Sequence, residues 1–94
     1  MRNRGLIFRI HALQRMYKRH VSRTDVRTVL ETGIVIEDYP EDKPYPSQLI
    51  LGWSSSRILH VVAAHNADTN EIIVITVYEP DQDKWEADFK RRKK

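Results

Sequence analysis

Apolar residues in the first third of the chain follow a helical spacing. Between residues 10 and 21 they recur every three or four positions, which predicts an amphipathic helix that buries one stripe. His11, Arg15 and Lys18 share the opposite side of this helix, which faces solvent or a partner. The stripe that we expect to be buried consists of Ile10, Leu13, Met16, Tyr17 and Val21.

A second helix is predicted to begin after Ser22. The Ser22 hydroxyl can cap the first turn, and Asp25 stands three positions later to complete a capping box. Val21, just before the cap, can contact Val26 in the first turn. Gly33 is expected to end the helix, because the residue after a helix often takes the left-handed conformation that glycine adopts freely.

The pattern then changes from helical to strand-like. Runs of β-branched and aromatic residues separated by turn-forming residues predict four strands, over 34–39, 48–53, 58–65 and 71–79. The last two strands should form an antiparallel hairpin around residues 66–70. A short additional strand over residues 6–9 is an alternative that the pattern leaves open.

The end of the chain is predicted to form a third helix. Pro80 ends the last strand, and Asp81 or Asp83 can cap the helix. Trp85 and Phe89, four residues apart, would then face the core. The order ααββββα predicts one α+β domain over residues 1–94, with two N-terminal helices, a four-stranded, mostly antiparallel sheet and a C-terminal helix.

Symmetric pairing of the predicted hairpin divides its side chains between two faces. It places His60 opposite Thr76 and puts Tyr78 on the same face. This mixed face is a candidate for a shallow site, although a core histidine satisfied by one hydrogen bond gives the same sequence. The other face is purely apolar and should lie against the helices; it carries Leu59, Val61, Ala63, Ile73, Ile75 and Val77.

Charge is distributed unevenly around the net value of +3. Residues 1–30 hold eight Lys/Arg and one acid, and residues 84–94 hold six bases and two acids. Residues 31–83 hold ten acids and two bases. If the two basic ends meet in space, they form one surface that attracts phosphates, whereas the basic tail at 91–94 also fits a solvated terminus.

Composition excludes several classes of function. The absence of cysteine excludes disulfides and thiol chemistry and indicates a reducing compartment. The early apolar stretch is short and interrupted by Arg9, so we expect neither a secretion signal nor a membrane span. We therefore expect a cytoplasmic protein. The histidines lack metal-binding spacing and the three glycines stand far apart, so we expect no metal and no nucleotide cofactor.

Three short motifs suggest a family. They are HAxxRM at 11–16, LHVV at 59–62 and TVYxP at 76–80, and they accompany GIVIEDYP at 33–40 and Trp85. Together they resemble a family of small bacterial proteins of unknown function, which looks like a branch of the RelE/ParE-like toxin superfamily. Genes of that family often sit beside a zinc-finger/helix-turn-helix antitoxin of the type that partners the MqsR toxin.

The resemblance implies the RNA endonuclease toxin of a toxin–antitoxin pair, whose partners are RNA and a cognate antitoxin. Such an enzyme needs no metal, uses the 2′-hydroxyl of the substrate as nucleophile and leaves a cyclic phosphate. His60 or His11 would accept a proton, Tyr78 would donate one, and Arg15 would supply a cation over the phosphate. The candidate RNA-binding residues are Lys18, Arg19, Lys90 and Arg91.

The alternative is a noncatalytic module whose basic helix face binds nucleic acid or an acidic protein. The two hypotheses differ in whether His11, Arg15, His60 and Tyr78 converge in one cleft. A metal-dependent hydrolase is a third hypothesis, and it would require a bound ion.

Overall fold

A mixed sheet of five strands forms the centre of the molecule, in a computed structural model that describes residues 5–94. In chain order the elements are β1 (Gly5–Phe8), α1 (Ile10–Arg19), α2 (Arg23–Thr32), β2 (Ile34–Tyr39), β3 (Ser47–Ser54), β4 (Arg57–Asn66) and β5 (Glu71–Tyr78). The order across the sheet is β1-β5-β4-β3-β2. β1 runs parallel to β5, and the other neighbouring strands are antiparallel. Both helices pack on one face, α1 against β5 and α2 against β3 and β4.

The predicted order ααββββα is wrong at both ends. The four predicted strands correspond to β2, β3, β4 and β5, but β1 precedes the helices and adds a fifth, parallel strand at the edge of the sheet. β1 coincides with the additional strand that the pattern left open. Between Tyr78 and residue 94 the described chain contains no helix.

Turns replace the predicted C-terminal helix in residues 80–94, which we call the C-terminal segment. The side chain of Asp81 accepts a hydrogen bond from the Asp83 amide at 2.8 Å. The side chain of Asp88 accepts one from the Lys90 amide at 2.9 Å. Such local bonds from aspartate offer the backbone an alternative to helix, so the spacing of the apolar residues did not decide the structure.

The C-terminal segment folds back on itself and covers the sheet face opposite the helices. The Lys93 amide donates to the Lys84 carbonyl at 2.8 Å, and Phe89 takes a left-handed conformation with φ 57°. Trp85 is buried against this second face and Phe89 is half-buried. The two aromatic residues therefore pack onto the domain as expected, but without a helix and on the other side of the sheet.

Helix α1 buries only part of its predicted apolar stripe: Met16 and Val21 are buried as predicted, whereas Ile10 and Tyr17 are not. Ala12 and Met16 are buried and Leu13 is half-buried. Ile10 is 75% exposed and Tyr17 is 87% exposed. The small Ala12 side chain lets the helix lie close to β5, and the helix is rotated so that Ile10 and Tyr17 face solvent.

The capping box of α2 is confirmed. The Ser22 hydroxyl accepts from the Asp25 amide at 3.0 Å, and the Asp25 carboxylate accepts from the Ser22 amide at 2.8 Å. Gly33 does end the helix, but the predicted left-handed conformation is wrong, because its backbone is extended. Glycine is needed there for space, since a Cβ atom would lie 2.5 Å from the Val29 carbonyl and 2.6 Å from the Leu51 carbonyl.

The register of the predicted hairpin is shifted. His60 pairs with Tyr78 rather than with Thr76, and a bulge between Val62 and Ala63 follows. The bulge leaves one extra residue on β5 and exchanges its faces beyond that point. Leu59, Val61 and Val77 face the helices as predicted, but Ile73 and Ile75 do not belong to the buried core; Ile72 and Val74 take that role.

Candidate functional site

The four candidate catalytic residues form two separate pairs. His11 and Arg15 lie on α1, whereas His60 and Tyr78 lie on β4 and β5. Leu59, next to His60, faces the helices, so His60 and its partner Tyr78 face the other side of the sheet. The four side chains therefore do not converge in one cleft.

The first pair is exposed. Arg15 Nε donates a hydrogen bond to His11 Nε2 at 3.0 Å, from four residues further along the helix. Because Nε2 accepts this bond, the neutral ring carries its proton on Nδ1. The bond uses Nε of Arg15. The two terminal guanidinium nitrogens, which form the planar fork, take no part in this bond.

The exposed pair belongs to a larger surface. An open depression of about 870 Å³ lies along α1, and among residues 5–94 the ones that line it all belong to this helix. The lining, which we call the α1 surface, consists of Ile10, His11, Leu13, Gln14, Arg15, Tyr17, Lys18 and Arg19. It combines cationic side chains with exposed apolar ones.

Arg57 fixes the end of α1 to the sheet. Its two terminal nitrogens donate to the carbonyls of Arg19 and His20, each at 2.7 Å, where the last carbonyls of the helix need partners. It also forms an ion pair with Glu79 at 3.3 Å. Arg57 thereby positions the α1 surface relative to β4 and β5, a role that the sequence did not suggest.

The candidate RNA-binding residues are divided between two sides of the molecule. Lys18 and Arg19 lie on α1, whereas Lys90 and Arg91 lie on the C-terminal segment, beyond the other sheet face. All four are exposed. Within residues 5–94 the two basic ends thus do not form one surface, and the two arginines that precede Gly5 lie outside the described residues.

The second pair is buried. His60 has no exposed surface, its Nδ1 lies 3.1 Å from the Tyr78 hydroxyl, and its Nε2 lies 2.8 Å from the Phe89 carbonyl. A carbonyl can only accept, so the proton sits on Nε2 and the Tyr78 hydroxyl donates to Nδ1. Both nitrogens of the neutral ring are therefore satisfied inside the protein.

Aromatic rings enclose the His60 imidazole. The Tyr78 ring lies edge-on with its centroid 5.2 Å away, and the Trp85 ring lies edge-on at 4.4 Å. Trp85 is only 4% exposed. The C-terminal segment thus supplies both an aromatic contact and the carbonyl partner of the histidine.

Arg92, Glu37 and Tyr39 connect the C-terminal segment to strand β2. The Arg92 guanidinium lies 4.6 Å from the centre of the Trp85 ring and 3.3 Å from a carboxylate oxygen of Glu37 on β2. The Tyr39 hydroxyl donates to the same oxygen of Glu37. Glu37 therefore receives one neutral and one charged donor at the edge of the covered face.

Burial and these bonds set the protonation states of the cluster. Burial lowers the pKa of His60, although its bond to the Phe89 carbonyl opposes this shift. Burial raises the pKa of Tyr78, and burial together with the bond to Glu37 raises the pKa of Tyr39 to about 12. The hydrogen bond from Tyr39 holds the pKa of Glu37 below its usual value. At neutral pH the cluster thus contains a neutral histidine, two protonated tyrosines and one carboxylate.

The two pairs differ in what they can do chemically. His11 and Arg15 are open to solvent and can meet a phosphate directly, whereas a substrate reaches His60 only if the C-terminal segment moves. Within residues 5–94 no group of three or more His, Asp or Glu side chains is placed to hold a metal ion. None of the helices in that part of the chain is long and apolar enough to cross a membrane.

Sequence reasoning missed several residues of both regions. Glu37 and Tyr39 stand two positions apart on one strand, a spacing that places them on the same face and could have identified them. Tyr17 was assigned to the buried stripe because of its helical spacing, and its exposure follows only from the rotation of α1. Arg57 and Arg92 had no local signal, because their partners are distant in the sequence.

Comparison with known proteins gives a family for most of the chain. Residues 8–79 match the model of the DUF4258 family, a domain of unknown function. No curated protein and no solved structure matches the chain. The matched stretch runs from the last residue of β1 to the residue after β5, so it includes both histidine pairs and stops before the C-terminal segment. The chain therefore belongs to the DUF4258 family.

Proposed function

We propose that this protein is an RNA-binding module that contacts the phosphate backbone through the α1 surface. The observation that carries the proposal is the exposure of His11, Arg15, Lys18 and Arg19 along a single helix. Side chains of this type bind phosphates, and a helix presents them in a fixed row. The separation of the two histidine pairs also favours binding over catalysis, because a shared cleft is lacking.

The charge distribution supports a polyanionic partner, and the resemblance to RNA-cleaving toxins favours RNA within that class. The acidic residues of the chain are concentrated between residues 31 and 83, so positive charge on α1 stands apart from them in the sequence. A localised positive surface on a chain with net charge +3 attracts a polyanion at long range. An acidic protein segment is the competing partner, and the experiment below separates the two.

The test compares two double variants that remove the same charge from different sides. Arg15→Ala/Lys18→Ala removes two positive charges from α1, and Lys90→Ala/Arg91→Ala removes two from the C-terminal segment. Binding to a fluorescent single-stranded RNA is measured over a range of salt concentrations. Each phosphate contact contributes about 0.7 to the slope of log affinity against log salt.

We expect the α1 variant to bind more weakly, with a slope reduced by about 1.4, and the other variant to keep the wild-type slope. The opposite result would place the RNA on the C-terminal segment. Equal losses in both variants would reduce the interaction to general charge attraction. Failure of the wild-type protein to bind RNA would leave the acidic protein segment as the partner.

RNA cleavage is the second candidate, and the hydrogen-bonded pair of His11 and Arg15 favours it. The HAxxRM, LHVV and TVYxP motifs also resemble the RelE/ParE-like toxin superfamily, so the module would be the toxin of a toxin–antitoxin pair. In this reaction the 2′-hydroxyl attacks phosphorus, its proton passes to His11 Nε2, and the 5′-oxygen leaves and takes up a proton from water. The products are a 2′,3′-cyclic phosphate and a 5′-hydroxyl. Arg15 would exchange its bond to His11 for the phosphate, and so free Nε2 to accept the proton.

Cleavage is tested with a single-turnover assay in EDTA. We expect His11→Ala to slow cleavage about a hundredfold, which is the usual contribution of a general base, while His65→Ala, which changes another exposed histidine, cleaves normally. Loss of activity in His60→Ala with retained folding would instead assign the chemistry to the buried pair. Absence of cleavage by the wild-type protein would leave RNA binding as the function of the module.

The antitoxin partner is tested by co-purification with the protein encoded beside the gene. We expect Arg15→Ala/Lys18→Ala to abolish this co-purification.

A further inference from the structure

The α1 surface has an apolar strip beside its cationic one. Tyr17 is 87% exposed and Ile10 is 75% exposed, and the two residues stand seven positions apart, which brings them to the same side of the helix two turns apart. Single exposed apolar residues are ordinary on protein surfaces. These two, however, line the same depression as Arg15 and Lys18.

Helical geometry orders the side chains across this surface. At 3.6 residues per turn, Tyr17 and Ile10 occupy one border, Gln14 follows, and Lys18 and His11 come next, with Arg15 on the far side. The buried side of the helix, with Ala12 and Met16, lies behind them. An aromatic face and a row of cations thus stand next to each other on one rigid element, with a side-chain amide between them.

We propose that Tyr17 is a stacking platform for an unpaired nucleobase, so that the α1 surface selects single-stranded over double-stranded RNA. The inference rests on the proposed RNA-binding function and specifies its substrate class. Single-stranded nucleic acid is bound by the combination of a cationic track for phosphates and aromatic rings for bases. In a duplex the base faces are stacked on each other, so Tyr17 would have no partner there.

The position of Tyr17 separates this role from a role in folding. Its side chain makes no contribution to the buried core, whereas the core face of α1 is formed by Ala12 and Met16. Trp53, another exposed aromatic residue, is 50% exposed on β3 and does not line the α1 surface. Trp53 therefore provides a matched control, since its removal also deletes an exposed aromatic ring.

The experiment measures the affinity of the full chain for three probes at one salt concentration. The probes are a single-stranded oligouridine, a duplex RNA of the same length, and an abasic single strand that keeps the phosphates. We expect Tyr17→Ala to lower the affinity for oligouridine by about fivefold to a hundredfold, the range measured for one base stacked on an aromatic side chain. Its affinity for the duplex and the abasic strand should equal that of the wild type.

Conservative variants distinguish stacking from simple apolar contact. Tyr17→Phe keeps the ring and should retain wild-type affinity for oligouridine, whereas Tyr17→Leu keeps apolar area and should lose it. Trp53→Ala should bind all three probes as the wild type does. Equal affinities of Tyr17→Ala and the wild type for oligouridine would overturn the stacking role. The proposed function would remain intact if the salt slope of binding still depends on Arg15 and Lys18. Failure of the wild type to bind any probe would overturn both.

Discussion

His11 and His60 show how the same residue type takes two different roles on two sides of one sheet. His11 lies on the exposed side of α1 and accepts a hydrogen bond from Arg15 of the same helix. His60 has no exposed surface and bonds to Tyr78 and to the Phe89 carbonyl, from two distant parts of the chain. The first is available to a ligand, and the second connects the sheet to the C-terminal segment.

The difference teaches that the neighbours of a titratable residue decide its role more than its place in a motif. Both histidines belong to short motifs that suggest chemistry, HAxxRM and LHVV. Removal of the buried histidine leaves a cavity and two unsatisfied polar groups, whereas removal of the exposed one leaves only a solvated helix face. Matched substitutions in the two regions should therefore separate stability from binding.

The largest contrast is expected between two aromatic residues, Trp85 and Tyr17. Trp85→Ala empties a site that is 4% exposed and should lower the free energy of unfolding by about 3–5 kcal/mol. Tyr17→Ala changes an exposed position and should alter that free energy by less than about 0.5 kcal/mol. Urea unfolding followed by circular dichroism measures both. A small effect of Trp85→Ala would mean that the C-terminal segment does not stabilise the folded state.

The two histidines should differ almost as much. His60→Ala should lower the free energy of unfolding by about 2–4 kcal/mol, because it removes packing and leaves the Phe89 carbonyl and the Tyr78 hydroxyl without their partner. His11→Ala should leave stability nearly unchanged. The same denaturation assay decides this comparison, and equal stabilities of the two variants would contradict the structural role of His60.

The pH dependence of stability should also report the burial of His60. Burial lowers the pKa of His60 from 6.5, so the unfolded chain takes up a proton below about pH 6.5 that the folded protein resists. Its contribution to stability is complete above about pH 6.5 and is lost as the pH falls toward the lower pKa of the folded state. The loss is at most about 1.4 kcal/mol per pH unit.

The comparison uses His60→Gln and the wild-type protein in denaturation experiments between pH 7 and pH 5. We expect His60→Gln to have a flatter profile than the wild type. An unchanged profile in His60→Gln would show that the imidazole is not held neutral in the folded protein.

The smallest contrast concerns two arginines. Arg92→Ala removes an ion pair with Glu37 and a contact with the Trp85 ring, but the Arg92 side chain is 58% exposed, so the loss should be about 1 kcal/mol or less. Arg15→Ala should leave stability unchanged and weaken RNA binding. Repeating the Arg92→Ala measurement in high salt should reduce its effect, since salt screens exposed ion pairs. An effect that persists in high salt would assign it to the aromatic contact.

The parts of the fold that depend on local sequence were predictable. The capping box of Ser22 and Asp25 is a local signal, and the structure contains it. The shifted register of β4 and β5 was not predictable, because it combines two one-residue shifts, one at the loop, where Asn66 pairs with Glu71, and one at the bulge between Val62 and Ala63. The prediction of a fifth strand was left open because β1 is short and its partner β5 lies far along the chain.

The site was predictable to a lesser degree. The sequence put His60 and Tyr78 on one sheet face, and they are in contact, but it did not indicate that the C-terminal segment covers them. Local hydrogen bonds of Asp81 and Asp88 compete with helix formation there, and propensity alone does not resolve such competition. The exposure of Tyr17 was missed because apolar spacing does not reveal which of two overlapping stripes packs on the sheet.

The parallel pairing of β1 with β5 has a consequence for synthesis on the ribosome. Gly5 pairs with Glu71, and the Arg9 amide just before α1 donates to the Val74 carbonyl, so the elements that hold α1 in place come from opposite ends of the domain. Contacts this distant in sequence form late, because a long loop must close first. A nascent chain that has not yet released β5 therefore carries the cationic residues of α1 without the sheet on which the helix is arranged. The RNA binding that we propose for α1 should therefore arise only when translation of the domain is nearly finished.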